Sequence, residues 1–174
     1  HCAKSAYITK ATTQLMRDFG SIQSPQNAFY LNLGLESLHL RMERHCQNAL
    51  AVAKFLKSQE KVAWVHYGDL EGDEYYDLAK KYCPKGTCGV LAFGVKGGRE
   101  ASIKFMDALK FASIETHVAD AKTCLLHPAS HTHRQLTDEQ LEEAGVATDL
   151  IRLSVGIENV DDLIADLQQA LDLI

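Results

Sequence analysis

Apolar residues recur at helical spacing through the first third of the chain, after a clear helix start. Ser24 and Pro25 form that start, because a serine side chain accepts a hydrogen bond from a free amide and proline suits the first helical turn. The apolar positions that follow are three, four or seven residues apart: Leu31, Leu35, Leu38, Met42, Ala49, Val52 and Leu56. They predict one long helix ending near Lys57, of a length that often connects two domains. Residues 1–23 have no clear period and are predicted to be a short helical or irregular leading segment.

Strand-like and helix-like patterns alternate from about residue 60 to the end. Strands are predicted over residues 62–67, 88–95, 114–118, 123–126 and 150–155, and helices over residues 74–82, 99–110, 138–145 and 160–174. The last two helices carry their own start signals, a capping box at Thr137 and Gln140 and an N-cap at Asn159. The alternation predicts an α/β or α+β fold with helices packed on a sheet. We divide the chain into a leading segment with the long helix, residues 1–57, and a carboxy-terminal α/β domain, residues 58–174.

One predicted strand, Leu150–Val155, has an arginine near its centre. Side chains alternate across a strand, so Ile151 and Leu153 share one face and Arg152 lies on the other. A buried guanidinium without a partner is very costly, so Arg152 must reach a carboxylate, a phosphate or solvent. Its planar fork suits a bidentate carboxylate. Two interpretations stay open: a structural salt bridge or exposed edge, and a ligand-binding arginine.

Composition and charge argue against several classes of protein. With 174 residues and 46% hydrophobic content, the chain can bury one well-packed core. The net charge of −5 argues against a nucleic-acid partner, because phosphate binding needs a basic surface. The 5 cysteines are an odd number, and the sequence has neither an apolar signal segment nor a stretch long enough to span a bilayer. These features predict a cytoplasmic protein that binds neither nucleic acid nor a membrane.

Two further segments contain residues that could bind a metal ion or a nucleotide, but their spacing matches neither kind of site. Cys124, His127, His131 and His133 carry zinc-binding groups at a spacing that matches no zinc pattern, so no metal site is predicted. The glycines of Gly94–Gly98 lack the spacing of a nucleotide-binding loop. They predict a tight turn from a strand into a helix.

Several motifs, in this order, resemble the cysteine/methionine-metabolism family of pyridoxal-phosphate-dependent enzymes. They lie at Ser24–Ala28, Gly34–Leu38, Leu40–His45, Phe93–Gly98, His127–His133 and Arg152–Glu158. Together they span about Ala6 to Ile174, nearly the whole chain. Within the family the likeness is greatest to the sulfhydrylases that act on O-acetylhomoserine, partly because related γ-lyases tend to have a glutamate where Lys122 stands. The chain departs from the family at Ala119, where a glycine is common, and within Tyr67–Leu70.

The resemblance implies the small carboxy-terminal domain of a fold-type I enzyme, with a mixed, largely antiparallel sheet, helices on one face and a long connecting helix before it. It implies pyridoxal phosphate as cofactor and a transferase of methionine biosynthesis, which replaces the acetate of O-acetyl-L-homoserine with sulfide or a thiol. It also implies that Arg152 binds the substrate α-carboxylate, that the main chain of Thr123 helps to hold it, and that Thr132 lies in the loop lining the same cleft. The expected partners are the amino-acid substrate, the protein's own amino-terminal domain and the other subunits of a homotetramer.

The residues that would hold the cofactor are not recognisable in this chain. Lys10 follows a threonine, as Schiff-base lysines sometimes do, but its surroundings do not match the family lysine. We therefore expect no catalytic or cofactor-binding residue here. Because the chain opens at His1 rather than at a methionine, we expect a piece of a larger enzyme that is inactive alone. The alternatives are cystathionine γ-synthase or methionine γ-lyase chemistry, or a non-catalytic assembly or regulatory module.

Overall fold

A computed structural model describes residues 5–174. The chain divides into two compact units, one ending at His39 and the other running from Leu40 to Ile174. Within the described residues, no helix combines the length and the apolar character needed to cross a membrane.

The first unit is helical. It contains α1 (Ala6–Lys10), a π-helical segment (Ala11–Met16), α2 (Arg17–Phe19) and α3 (Pro25–Glu36). The side chain of Ser24 accepts a hydrogen bond from the N–H of Asn27 at 3.1 Å, which confirms the predicted helix start. Many large apolar side chains of this unit are exposed, among them Tyr7, Phe19, Ile22, Phe29, Tyr30, Leu31, Leu33 and Leu35.

The single long helix predicted to reach Lys57 is in fact two helices. The first, α3, ends at Glu36, and α4 runs from Leu38 to Ser58. Between them Ser37 has φ −103° and ψ 4°, outside the helical range. The prediction of one helix was wrong because the apolar spacing continues across Ser37, a weaker helix former than alanine or leucine, where the backbone departs from helical geometry.

The greater part of α4 belongs to the second unit. Ala49, Val52 and Leu56 on this helix are buried in the core. The boundary between the compact units therefore falls at His39, earlier than the domain boundary that we placed after Lys57. The role of the helix as a connection between two domains stays a prediction.

A 5-stranded sheet forms the centre of the second unit. Its strands are β1 (Val62–His66), β2 (Val90–Val95), β3 (Ser113–Ile114), β4 (Cys124–Leu126) and β5 (Leu150–Ser154), in the spatial order β1-β2-β5-β4-β3. β3 and β4 are parallel, and the other pairings are antiparallel. The mixed, largely antiparallel sheet is confirmed.

Helices cover one face of this sheet. Besides α4, the second unit contains α5 (Tyr76–Tyr82), α6 (Gly98–Asp107), α7 (Asp138–Glu143) and α8 (Val160–Asp172). Val52, Phe105 and Leu167, from α4, α6 and α8, share one core with Ile151 and Leu153 of β5. Because residues two apart on a strand share a face, the residue between them, Arg152, lies on the face away from the helices, which we call the outer face.

The local start and turn signals of this unit are confirmed. The N–H of Thr137 donates to Gln140 Oε1 at 3.0 Å and the N–H of Gln140 donates to Thr137 Oγ1 at 3.3 Å, which completes the capping box of α7. Asn159 accepts from the N–H of Asp161 at 3.0 Å at the start of α8. Gly97, with φ 106°, makes the tight turn from β2 into α6.

The strand predicted over residues 114–118 is much shorter than expected. Among the described residues, the strand consists of Ser113 and Ile114, which pair with β4, and the N–H of Glu115 still donates to the carbonyl of Leu125 at 3.0 Å. From Thr116 onward the chain leaves this edge and contacts side chains of the outer face, as described next.

Candidate functional site

Arg152 lies in the middle of the outer face. It pairs with Ala92 of β2 on one side and with Leu126 of β4 on the other. Ala92 pairs in turn with His66 of β1. The alternation that placed Arg152 opposite the buried Ile151 is confirmed.

Main-chain oxygens, and not a carboxylate, hold the Arg152 guanidinium. Its Nη2 donates to the carbonyl of Thr116 at 2.7 Å and to that of His117 at 3.3 Å. Among residues 5–174, Arg152 forms no ion pair with a carboxylate. Its Nε is buried and has no hydrogen-bond partner within this part of the chain. Among the described residues, no acid is placed to form the structural salt bridge that was one interpretation of Arg152. A side chain that is always positively charged, with a buried donor that has no partner, is suited to an anionic ligand.

A groove of about 430 Å³ lies beside Arg152 on the outer face. His66, Asp73, Tyr75 and the small side chain of Ala92 are among its lining residues. Nδ1 of His66 lies 3.5 Å from Asp73 Oδ2, and the same carboxylate accepts from the N–H of Tyr75 at 2.9 Å. The groove has room for a small molecule next to the arginine.

The segment Glu115–Thr123, which we call the covering segment, contacts the side chains of β5 on the outer face. Beyond the two carbonyls that Arg152 contacts, the N–H of Ala119 donates to Ser154 Oγ at 3.0 Å. Farther along, the carbonyl of Ala121 accepts from the N–H of Ile157 at 2.9 Å. Ala119 has φ 59°, in the left-handed region that favours glycine, which gives a physical reason for the glycine expected there.

Thr123 ends the covering segment and is buried. Its N–H donates to Glu158 Oε1 at 2.6 Å and its hydroxyl donates to Glu158 Oε2 at 2.9 Å. The one main-chain donor of Thr123 is thus already used, and its role toward a substrate stays a prediction. Sequence reasoning did not identify Glu158 as a site residue, because its partner lies 35 positions away and no local pattern signals the pair.

Thr132 is exposed in the loop after β4, where its Oγ1 lies 2.9 Å from His133 Nδ1. It is not among the residues that line the groove, so the structure does not bring it together with Arg152, and its role also stays a prediction. In the same loop, His127 is buried. No three His, Cys, Asp or Glu side chains between residues 5 and 174 are arranged to hold a metal ion.

The described residues of the second unit form a small α/β domain in which Arg152 lines a groove on the outer face of the sheet. Comparison with known proteins identifies the family. Residues 1–172 match the family model described as Cys/Met metabolism PLP-dependent enzyme, and the chain belongs to that family.

Individual relatives agree with this assignment. The chain is 52% identical to homocysteine synthase of Schizosaccharomyces pombe, over 97% of this chain and 39% of that protein. It is 47% identical to O-acetyl-L-homoserine sulfhydrylase of Leptospira meyeri, over 95% of this chain and 38% of that protein. The chain therefore spans about two fifths of the length of these curated relatives.

A solved structure is similar as well. A crystal structure assigned to an O-acetylhomoserine (thiol)-lyase of Campylobacter jejuni matches with a TM-score of 0.85 and 41% identity, over 94% of this chain and 39% of that one. That protein contains N'-pyridoxyl-lysine-5'-monophosphate at position 205.

The cofactor of the family, pyridoxal phosphate, requires a lysine and a phosphate site. None of the described residues that line the groove beside Arg152 is a lysine. Lys10 is exposed and donates to Gln14 Oε1. The residues that line this groove therefore do not fit the lysine that this cofactor needs.

Proposed function

We propose that this chain is the carboxy-terminal part of a pyridoxal-phosphate-dependent sulfhydrylase, and that it orients the α-carboxylate of the amino-acid substrate. The observation that carries the proposal is Arg152. Its charge has no carboxylate partner among residues 5–174, its Nε is buried without an acceptor, and a groove opens beside it. A substrate carboxylate in the groove would give the guanidinium the charged partner that it lacks among these residues.

The proposed reaction is a replacement at the γ-carbon of O-acetyl-L-homoserine. The bond from that carbon to the ester oxygen breaks and acetate leaves, and a bond to sulfur forms at the same carbon. Hydrogen sulfide gives homocysteine, and methanethiol gives methionine. Pyridoxal phosphate, held by the rest of the longer protein, would supply the electron sink for this chemistry.

Orientation is the contribution that this chain can make. A carboxylate held by Arg152 restricts the rotation of the substrate about its α-carbon. Because the substrate is already bound in one orientation, less entropy is lost in reaching the transition state, which lowers the activation barrier by several kcal/mol. The guanidinium is itself held by the carbonyls of Thr116 and His117, so it is positioned before the substrate arrives.

Three further features belong to the proposal. The active protein is cytoplasmic and homotetrameric, the chain contacts its own amino-terminal domain, and the 174-residue chain alone is inactive. The chain covers 39% of the homocysteine synthase to which it is 52% identical, which supports the contact with a further domain. The 5 cysteines, an odd number, favour a reducing compartment.

The test uses the full-length polypeptide that contains this sequence, purified with pyridoxal phosphate. We expect acetate release from O-acetyl-L-homoserine that depends on added sulfide, with homocysteine formed in equal amount. Cystathionine from O-succinyl-L-homoserine and cysteine would instead indicate a cystathionine γ-synthase, and methanethiol from methionine alone a methionine γ-lyase. Absence of all three activities in a folded, cofactor-loaded protein would favour the assembly or regulatory module.

A further inference from the structure

The position of the Arg152 guanidinium depends on the covering segment, Glu115–Thr123. The only acceptors within residues 5–174 that this guanidinium contacts are the carbonyls of Thr116 and His117, both in that segment. Main-chain atoms move with their segment. Whatever fixes the covering segment therefore also fixes the direction in which Arg152 presents its charge.

Glu158 holds the carboxy-terminal end of the covering segment. Both oxygens of its carboxylate accept from Thr123, one from the N–H at 2.6 Å and one from the hydroxyl at 2.9 Å. The hydroxyl oxygen of Thr123 accepts in turn from the N–H of Gly156 at 2.9 Å. Thr123 is buried, so water could not easily replace Glu158 if the carboxylate were removed.

Close packing reinforces this contact. A side chain added at Gly156 would overlap the carbonyl oxygen of Ala121, so the covering segment lies directly against the chain after β5. That stretch is held from the other side by Asn48, whose Nδ2 donates to the carbonyls of Gly156 at 3.0 Å and Glu158 at 2.9 Å. Glu158 thus joins the covering segment to a stretch that is fixed on the core helix α4.

We propose that Glu158 is a positioning residue for Arg152. Its carboxylate keeps the covering segment in place through Thr123, and the segment keeps the guanidinium directed at the substrate carboxylate. The inference rests on the proposed function of Arg152. Glu158 itself does not contact the substrate, so its removal should weaken substrate binding while leaving the chemical step nearly intact.

The test is a double-mutant cycle in the full-length, cofactor-loaded protein. Glu158→Gln keeps the size of the side chain but leaves one strong acceptor where there were two. We expect KM for O-acetyl-L-homoserine to rise about tenfold with kcat within about twofold, the pattern of lost ground-state binding. In an Arg152→Ala background the same change should have no further effect on KM, because it acts through Arg152. Glu143→Gln, exposed on the far end of α7, is the matched control and should leave KM unchanged.

Amide hydrogen exchange gives a second measurement that does not depend on activity. In Glu158→Gln, the amides of residues 119–123 should exchange at least tenfold faster, with the amides of β2 and β5 unchanged. If Glu158→Gln does not fold, Ser154→Ala serves instead, because it removes the hydrogen bond to Ala119 in the same segment. It should produce a smaller change of the same kind.

The outcomes separate this inference from the proposed function. If Arg152→Ala leaves kcat/KM unchanged, the substrate-binding role of Arg152 is wrong and the inference fails with it. If Arg152→Ala is impaired but Glu158→Gln has a normal KM and normal exchange at residues 119–123, only the inference is wrong. An effect of Glu158→Gln that adds fully to that of Arg152→Ala would also contradict it.

Discussion

His127 is buried in the loop that follows β4, where both of its ring nitrogens have partners. Nε2 lies 2.8 Å from the carbonyl of Thr148, which can only accept, so Nε2 carries the proton. Nδ1 lies 2.8 Å from Ser130 Oγ and can accept from that hydroxyl. The neutral ring is therefore satisfied, and burial lowers the pKa of His127 below its ordinary value.

This arrangement predicts a loss of stability in acid. An unfolded histidine titrates near about 6.5. Because the pKa of His127 is lower in the fold, the unfolded chain takes up the proton first as pH falls below that value. The stabilisation is complete above about pH 6.5 and should decline below it, by at most about 1.4 kcal/mol per pH unit. Urea unfolding at pH 7.5 and 5.5 measures this decline.

Two variants assign the pH effect to His127. His127→Gln keeps a side-chain donor for Thr148 without a titratable ring, so the decline between pH 7.5 and 5.5 should be clearly smaller. His39→Gln, exposed in the first unit, should keep the decline of the unsubstituted chain. An identical decline in all three proteins would mean that His127 is not the titrating group.

The sequence identified Arg152 as a candidate site residue, but it did not indicate which residues contact its guanidinium. A charged residue between Ile151 and Leu153 interrupts a simple apolar pattern, and the alternation of a strand then fixes its face. The carbonyl of Thr116 and the carboxylate of Glu158 lie 36 and 35 positions from their respective partners. Such contacts form only when strands pair, so no local pattern in the chain could predict them.

Elements with a start signal of their own were predicted most accurately. Ser24, Thr137 and Asn159 each cap the helix that was expected after them. The predicted bounds of an element were wrong where contacts between distant parts of the chain determine where it ends. The strand expected over residues 114–118 keeps only Ser113–Ile114, because the covering segment turns away to contact Arg152 and Ser154.

Asp166 on α8 joins two elements through backbone hydrogen bonds. Its carboxylate accepts from the N–H groups of Lys110, Phe111 and Ala112 at 2.9, 3.0 and 2.9 Å. These residues connect α6 to β3. Asp166 is buried, so its oxygens replace water for the three donors. The carboxylate therefore holds the approach to β3 against α8.

Removal of this carboxylate should destabilise the fold. Asp166→Ala should lower the free energy of unfolding by about 2–4 kcal/mol, because three amides lose a charged acceptor. Asp166→Asn keeps one acceptor oxygen and should lose roughly half as much. Urea unfolding at neutral pH gives both values. The exposed Asp107→Asn, at the end of α6, serves as control with a change below about 0.5 kcal/mol. Equal losses in Asp107→Asn and Asp166→Asn would contradict the account.

At the scale of the whole molecule, the first unit exposes an unusual amount of apolar surface. Leu31 is 61% exposed and Leu35 is 60% exposed, and both belong to the apolar positions at helical spacing that follow Pro25. Soluble proteins rarely expose large contiguous apolar patches. We expect the purified chain to form dimers or larger species at moderate concentration.

Sedimentation velocity over a wide concentration range tests this association. The double variant Leu31→Glu, Leu35→Glu should shift the chain toward monomer. Leu173→Glu, at a residue that is 55% exposed in the second unit, should not. A clean monomer of the unsubstituted chain at every concentration would contradict the expectation.

The chain alone should also fail to bind its family's cofactor covalently. Mixed with pyridoxal phosphate, it should stay colourless and show no Schiff-base absorption, because the groove offers no lysine among the described residues and Lys10 does not match the family motif. Absorption spectra before and after borohydride, with peptide mapping, provide the measurement. A stable yellow complex mapped to Lys10 would show that this chain holds the cofactor itself.

The proposed binding of the substrate carboxylate by Arg152 is tested most directly in the full-length protein. If Arg152 binds the substrate carboxylate as proposed, Arg152→Ala removes one side of a hydrogen-bonded charge pair, which typically costs about 2–5 kcal/mol when the pair is shielded from water. We therefore expect kcat/KM to fall by roughly thirtyfold to several thousandfold. Arg152→Lys should recover only part of the loss, because an ammonium cannot reproduce the fork.

The thermal midpoint of the same two variants separates binding from structure. Ile151, Leu153 and Val155 are each 0% exposed and hold β5 in the core, so the midpoint should change little. A structural role for Arg152 predicts the opposite, a lower midpoint with near-normal kcat/KM in the protein that stays folded. We predict the large loss of kcat/KM at a preserved midpoint, and an unchanged kcat/KM in well-folded Arg152→Ala would contradict the proposed role of Arg152.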